Sequence, residues 1–186
     1  MACSTTHFKE RLFQEIQTRS FRKGKFTLAS GKTSDYYIDC RTTTLSGEGA
    51  YLIGHLLTPI IQELQADAVG GMSIGADPIV SSVLYHSAAM GKPLEGFLVR
   101  KEVKKHGAQR QVEGNLQPWM RAVLVEDVIT TGGSTLQAIE AIHKSMPSVQ
   151  IVKVLALVDR SNGDNLITQN GIPFQALYPV SQFLQG

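Results

Sequence analysis

Apolar runs without polar interruption alternate with segments of helical spacing along most of this chain, and that alternation restricts the folds open to it. The runs at 66–72, 94–100, 121–126 and 151–158 are short and apolar, as strands buried on both faces of a sheet are. Residues 47–64, 77–90 and 134–146 instead space their apolar side chains as helices do, with Asp77-Pro78 read as an N-cap and first helical residue. A helix over 8–19 would place Phe8, Leu12, Phe13 and Ile16 on one side. The segment FTLASGKTSDYYID (26–39) has β-formers on both sides of a turn at Ser30-Gly31, and 164–170 and 174–178 read as a last helix and strand. Strands alternating with helices imply right-handed βαβ units, hence an α/β fold with a central, mainly parallel sheet flanked by helices.

A chain of 186 residues suits one domain. Two cysteines, Cys3 and Cys40, without paired spacing argue against a disulfide framework or a zinc site and fit a reducing cytoplasm. The N-terminus lacks the apolar core of a secretory signal, and the most apolar stretch, 51–61, is too short to span a bilayer. Charge is local: five of the 18 cations but one of the 16 acids fall within 100–110, so the rest of the chain is slightly acidic. A small polyanion matches such a patch better than nucleic acid, which needs a broader basic face with interleaved aromatics.

The stretch VLVEDVITTGGS (123–134) is the most informative for chemistry. A buried strand runs into the adjacent carboxylates Glu126 and Asp127, which can accept hydrogen bonds from neighbouring sugar hydroxyls. Thr130, Thr131, Gly132, Gly133 and Ser134 then open a helix whose free N–H groups suit a phosphate. Together they describe a ribose 5-phosphate cradle. The G-x-x-x-x-G-K-[ST] and G-x-G-x-x-G patterns are absent, and no His or Cys beside the acids makes them metal ligands.

A second segment, VRKEVKKHGAQRQVEG (99–114), is basic, polar and bounded by glycines. A loop of this length in a compact domain is often a lid. Arg100, Lys101, Lys104 and His106 are suited to converge on a pyrophosphate and to offset charge developing on it. In sheets of this kind ligands bind beyond the carboxyl ends of the strands, where 73–77, 100–106, 126–134 and Asp159-Arg160 all fall.

These residues carry a resemblance. VLVEDVITTGGS is similar to the phosphoribosyl-pyrophosphate (PRPP) motif of the type I phosphoribosyltransferases. RKEVKKHG resembles the catalytic loop of the orotate phosphoribosyltransferases, and FTLASGKTSDYYID and LVDRSNG resemble their orotate-binding regions. The resemblance implies the type I fold: an N-terminal helix and small hood over about 1–45, a core over about 46–180 and a mobile catalytic loop over 100–117. It implies transfer of ribose 5-phosphate from PRPP to N1 of orotate, yielding orotidine 5'-monophosphate and pyrophosphate, in pyrimidine (UMP) synthesis. It further implies Mg2+ as cofactor, held mainly by PRPP and water, and a homodimer that shares the loop across its interface. Carried onto this chain, Glu126 and Asp127 would hold the ribose hydroxyls and Thr130 to Ser134 the 5'-phosphate, with Val128 and Ile129 also counted among the PRPP-binding residues. Arg100, Lys101, Lys104 and His106 would serve pyrophosphate and catalysis. Thr130, Tyr37 and Ile38 would contact orotate, and Arg160 would pair with its carboxylate, which a guanidinium can bind bidentately.

The chain departs from that pattern twice: Ala29 and the GADP turn (75–78) stand where many family members carry a lysine. The backbone N–H groups of Gly75 and Ala76 are candidate replacements, as are Lys25 and Lys32. Other functions can be drawn: a hydrolase elbow at Gly71–Gly75 with Ser73, Asp127 and His143, a purine-using relative, or a PRPP-sensing regulator. A regulator has no need of the full RKxxKxHG segment, and a purine enzyme none of a carboxylate partner at Arg160.

Overall fold

The computed structural model describes residues 5–27, 31, 33–102 and 110–185. The first helix, α1 (Thr5–Arg19), leads into a hairpin of β1 (Phe21–Thr27) and β2 (Thr33–Ile38), followed by α2 (Arg41–Thr44) and α3 (Gly47–Glu63). The core then runs β3 (Ala68–Met72), α4 (Asp77–Ala89), β4 (Glu95–Val99), β5 (Val112–Gly114), β6 (Arg121–Ile129), α5 (Gly133–Ser145) and β7 (Gln150–Asp159). The last elements are α6 (Leu166–Gln169), β8 (Phe174–Pro179) and α7 (Ser181–Leu184).

Six strands form one sheet in the order β5-β4-β3-β6-β7-β8, parallel except for β5. From β3 the chain moves outward to β4 and β5, then returns to the other side of β3 for β6. The strand order therefore reverses between β3 and β6, where a crevice opens at the carboxyl ends.

Alternation along the central strands divides their side chains between two apolar layers. Val123, Val125, Leu155 and Leu157 face the layer built with α1, α3 and α4; Ala122, Leu124, Val154 and Ala156 face the layer under α5 and α6. Leu12 and Ile16 seat α1 in the first layer, with Phe8 and Phe13 packed at its margin. Ala138, Ile139, Ala141 and Ile142 seat α5 in the second. Both faces of the sheet are covered, which is why these strands read as unbroken apolar runs.

Several local readings change. Ala76, not Asp77, is the N-cap of α4; Asp77 instead accepts both of its side-chain hydrogen bonds from Ser73 Oγ, at 2.7 and 2.9 Å. The strand after residue 121 runs on to Ile129, so Glu126 and Asp127 belong to the strand itself. Residues 112–114 pair antiparallel with β4, a strand too short and polar for periodicity to reveal. Among the described residues no helix is long and apolar enough to cross a membrane.

Candidate active site

A cavity of about 390 Å³ occupies the crevice at the β3/β6 reversal. Its floor is the carboxyl end of β6 and the turn into α5: Glu126, Asp127, Val128, Ile129, Thr130, Gly132, Gly133 and Ser134 all line it. Tyr37 and Ile38, at the end of the hairpin, line another side. Residues 73–75, Lys101 and Arg160 complete it. Most of the residues singled out from sequence therefore meet in one place. Thr131 is not among the lining residues; its carbonyl accepts from Leu166 N at 2.9 Å. Arg100 also lies outside: its Nε donates to Glu113 Oε1 on β5 at 3.1 Å, and it borders an adjoining groove with Ser73 and Asp77. Lys104, His106, Ala29 and Lys32 fall outside the described residues.

Gly132 caps α5 in the left-handed region (φ 79°), where a side chain would be strained and would also crowd Ile167. A helix start leaves its first N–H groups without intrahelical acceptors. Here Gly133 N–H finds Thr131 Oγ1 only at 3.4 Å, so the turn presents donors suited to a phosphate.

The paired acids are unusually placed. Glu126 is 8% exposed, with Thr135 Oγ1 donating to its Oε2 at 3.4 Å; Asp127 Oδ1 accepts from Val128 N at 2.8 Å. Burial, and then the Asp127 charge, lifts Glu126 well above the ordinary carboxylate range. Burial raises Asp127 as well, opposed by the Val128 N–H. Gly75 closes over them: a methyl group there would stand 2.6 Å from Glu126 Oε1 and 2.9 Å from Asp127 Oδ1. A side chain at residue 75 would force the carboxylates beneath it to shift. Ala76 N–H, expected to be free for a ligand, donates to Met72 O at 3.2 Å. Lys25, exposed on β1, does not line the cavity.

Arg160 is oriented from two sides. Its Nε donates to Tyr36 OH at 3.2 Å, its guanidinium carbon lies 4.8 Å from the centre of the Tyr36 ring, and its N–H is tied to Ile129 O at 2.8 Å. Asp159 shapes the turn beyond it, accepting from Ser161 N at 2.7 Å and Gly163 N at 2.8 Å.

Two charged cavity residues escaped the sequence reading, besides Met72, Thr135 and Gln137. Asp39 and Arg41 follow directly after Tyr37 and Ile38, and both line the cavity. Their adjacency to the YYI run was the available signal. Cys40 between them is fully buried, and burial, with Asp127 and Asp39 nearby, pushes its thiol well up and keeps it neutral. The alternative hydrolase triad has no geometric basis: His143 is exposed in the last turn of α5, and Ser73 Oγ is committed to Asp77. Among the described residues no group of three or more His, Cys, Asp or Glu is placed to hold a metal ion.

A parallel sheet with a Gly-rich turn and paired acids at its reversal point is the arrangement of a type I phosphoribosyltransferase. The chain is 43% identical over 173 residues to the orotate phosphoribosyltransferase of Streptomyces coelicolor, covering 93% of this chain and 94% of that one. The Mycobacterium tuberculosis orotate phosphoribosyltransferase solved with Fe(III) dicitrate superposes with a TM-score of 0.81 at 32% identity, over 95% of this chain and 98% of that one. The same enzyme solved with 5-phospho-alpha-D-ribosyl 1-diphosphate gives 0.75 at 26%, over 95% and 91%. No family model matches the chain. The chain belongs to the orotate phosphoribosyltransferase family.

Proposed function

We propose that this chain transfers ribose 5-phosphate from PRPP to N1 of orotate, releasing pyrophosphate and orotidine 5'-monophosphate, as a step of pyrimidine synthesis in the cytoplasm. The observation that carries this reading is the convergence of Glu126, Asp127 and the 130–134 turn with Arg160 around one cavity. The turn suits the 5'-phosphate, and the acids suit the ribose hydroxyls. Arg160 stands across from them as a guanidinium that Tyr36 holds by one edge, leaving N–H groups for a carboxylate. Tyr37 and Ile38 fit the flat base between these groups.

Displacement at C1 of the ribose develops positive charge on the sugar and negative charge on the departing pyrophosphate. The protein has little proton transfer to perform. It holds the two substrates in line, excludes water that would hydrolyse PRPP, and stabilises the leaving group. Lys101, lining the cavity, and Lys104, Arg100 and His106 of the basic segment are assigned to that last task. A Mg2+ ion held mainly by PRPP oxygens and water, with no direct protein ligand assigned to it, would neutralise pyrophosphate charge. In this reading residues 1–45 form the helix and hood, 46–180 the core, and 100–117 the catalytic loop.

Arg160→Gln tests the acceptor assignment. Removing a charged bond to a carboxylate costs roughly 1.5–3 kcal/mol, so the KM for orotate is expected to rise about 10- to 100-fold. The KM for PRPP is expected to change little. Steady-state kinetics with orotate, uracil and hypoxanthine measure this, and equal use of uracil by the wild-type protein would sink the reading.

A homodimer sharing the loop belongs to the same proposal. It is supported by an apolar face around α3 and α4, where Leu45, Tyr51, Tyr85 and Met90 are exposed about a groove. Tyr85 is 80% exposed, so Tyr85→Asp is expected to convert dimer to monomer in light scattering. A wild-type monomer at micromolar concentration would refute this part.

A further inference from the structure

Within the cavity the described acids are Asp39, Glu126 and Asp127, and the described cations are Arg41, Lys101 and Arg160. Arg160 is engaged by Tyr36, and Lys101 stands at the start of the basic segment. Arg41 alone has no role in the reading above, yet it lies among the residues that line the cavity with Gly75 and Asp127. Its guanidinium is held by one carboxylate: Nε donates to Asp39 Oδ1 at 2.8 Å and Nη2 to Asp39 Oδ2 at 2.7 Å, while Arg41 N–H reaches Oδ1 at 3.1 Å. The Asp39 contact uses two of the five guanidinium N–H donors, so the outer edge keeps the rest in a fixed orientation. Asp127 and Tyr37, which line the same cavity, both act on the Arg41 charge.

An ion pair two residues apart and half exposed contributes little to stability. The contribution to binding is different, because a polyanion entering a cavity with three carboxylates needs compensating charge on the rigid part of the site. The turn at 75–78 carries no cation of its own, and Ala76 N–H is already used.

We propose that Arg41, oriented by Asp39, is a pyrophosphate-binding residue of this chain and supplies a fixed cation on the rigid part of the site. The assignment rests on reading the cavity as the PRPP site. In the intact enzyme with Mg2+, Arg41→Gln is expected to raise the KM for PRPP and the inhibition constant of free pyrophosphate at least about 10-fold. The KM for orotate and the affinity for ribose 5-phosphate should stay within about 2-fold, with Tm shifted by no more than about 3 °C. Arg41→Lys should recover part of the loss, and Asp39→Asn, which frees the guanidinium, should weaken pyrophosphate by an intermediate factor.

Unchanged pyrophosphate inhibition in Arg41→Gln overturns the proposal, as does an equal loss of ribose 5-phosphate or a loss confined to orotate. If Arg41→Gln proves unstable, the folded Arg41→Lys and Asp39→Asn variants decide by the same constants. A wild-type protein that does not turn over PRPP with orotate refutes the functional reading itself. An active wild type with an indifferent Arg41→Gln refutes only the role of Arg41.

Discussion

Converting Glu126 and Asp127 together to Gln and Asn is expected to lower kcat/KM for PRPP by about 10³-fold while making the protein more heat-stable at pH 8. Both effects arise from the same burial. The acids sit at the carboxyl end of β6 under Gly75, with Glu126 almost wholly removed from solvent. In the proposed reading they accept charge-assisted hydrogen bonds from ribose hydroxyls, each worth roughly 1.5–3 kcal/mol, and amides would weaken both.

In the absence of substrate those charges are a cost. Burial raises both pKa values above those of an exposed carboxylate. Between the ordinary carboxylate range and the raised folded values, the folded protein binds more protons than the unfolded chain. Stability therefore falls as pH rises through that window, and the penalty is complete above the folded values. The uncharged pair escapes it. The Tm advantage of the double variant should be negligible near pH 4 and largest near pH 8, reaching a few °C. By the same sign, PRPP affinity of the wild type should rise with pH as the pair ionises. Calorimetry of both proteins at the two pH values checks this; an advantage that is larger at pH 4 would show that the acids are not a buried liability.

Lys104→Ala is expected to lower kcat by about 10²- to 10³-fold with a much smaller change in the KM for PRPP. Lys104 lies in the basic segment beyond the described residues, so its assignment rests on the RKEVKKHG pattern and on chemistry. A compact ammonium that meets charge as it builds on the leaving pyrophosphate acts in the transition state more than in the ground state. Loss of such a group lowers kcat and kcat/KM together. The opposite pattern, a raised KM with unchanged kcat, would make Lys104 an ordinary substrate anchor. Comparison with Arg41→Gln is informative here: Arg41 sits on the fixed part of the cavity, so it should act on PRPP and pyrophosphate affinity before it acts on turnover.

The apolar runs and helical spacings were sufficient to read the α/β alternation, because a parallel sheet covered on both faces demands uninterrupted hydrophobic strands. VLVEDVITTGGS was legible for a similar reason: strand, paired acids and Gly-rich turn are contiguous, so their chemistry is set by local backbone geometry. Arg160 could be singled out through the resemblance of LVDRSNG and the bidentate fit of a guanidinium to a carboxylate. Asp39 and Arg41 could not be weighted from sequence. Adjacency to the YYI run was their one local signal, while Asp127 and Gly75, which line the same cavity, arrive from elements far along the chain. The same holds for Tyr36, which orients Arg160 across 124 residues of chain, and for Arg100, which β5 holds through Glu113.

What the order of residues determined by itself was local: the strands, the phosphate turn, the paired acids and the basic segment. What tertiary structure alone decided was the company those groups keep. Burial beneath Gly75 turned two ordinary carboxylates into reluctant acids, and the fold placed Arg41, at the start of α2, among the residues that line their cavity. Desolvation and charge–charge coupling depend on distances through space, and a linear pattern carries no record of them.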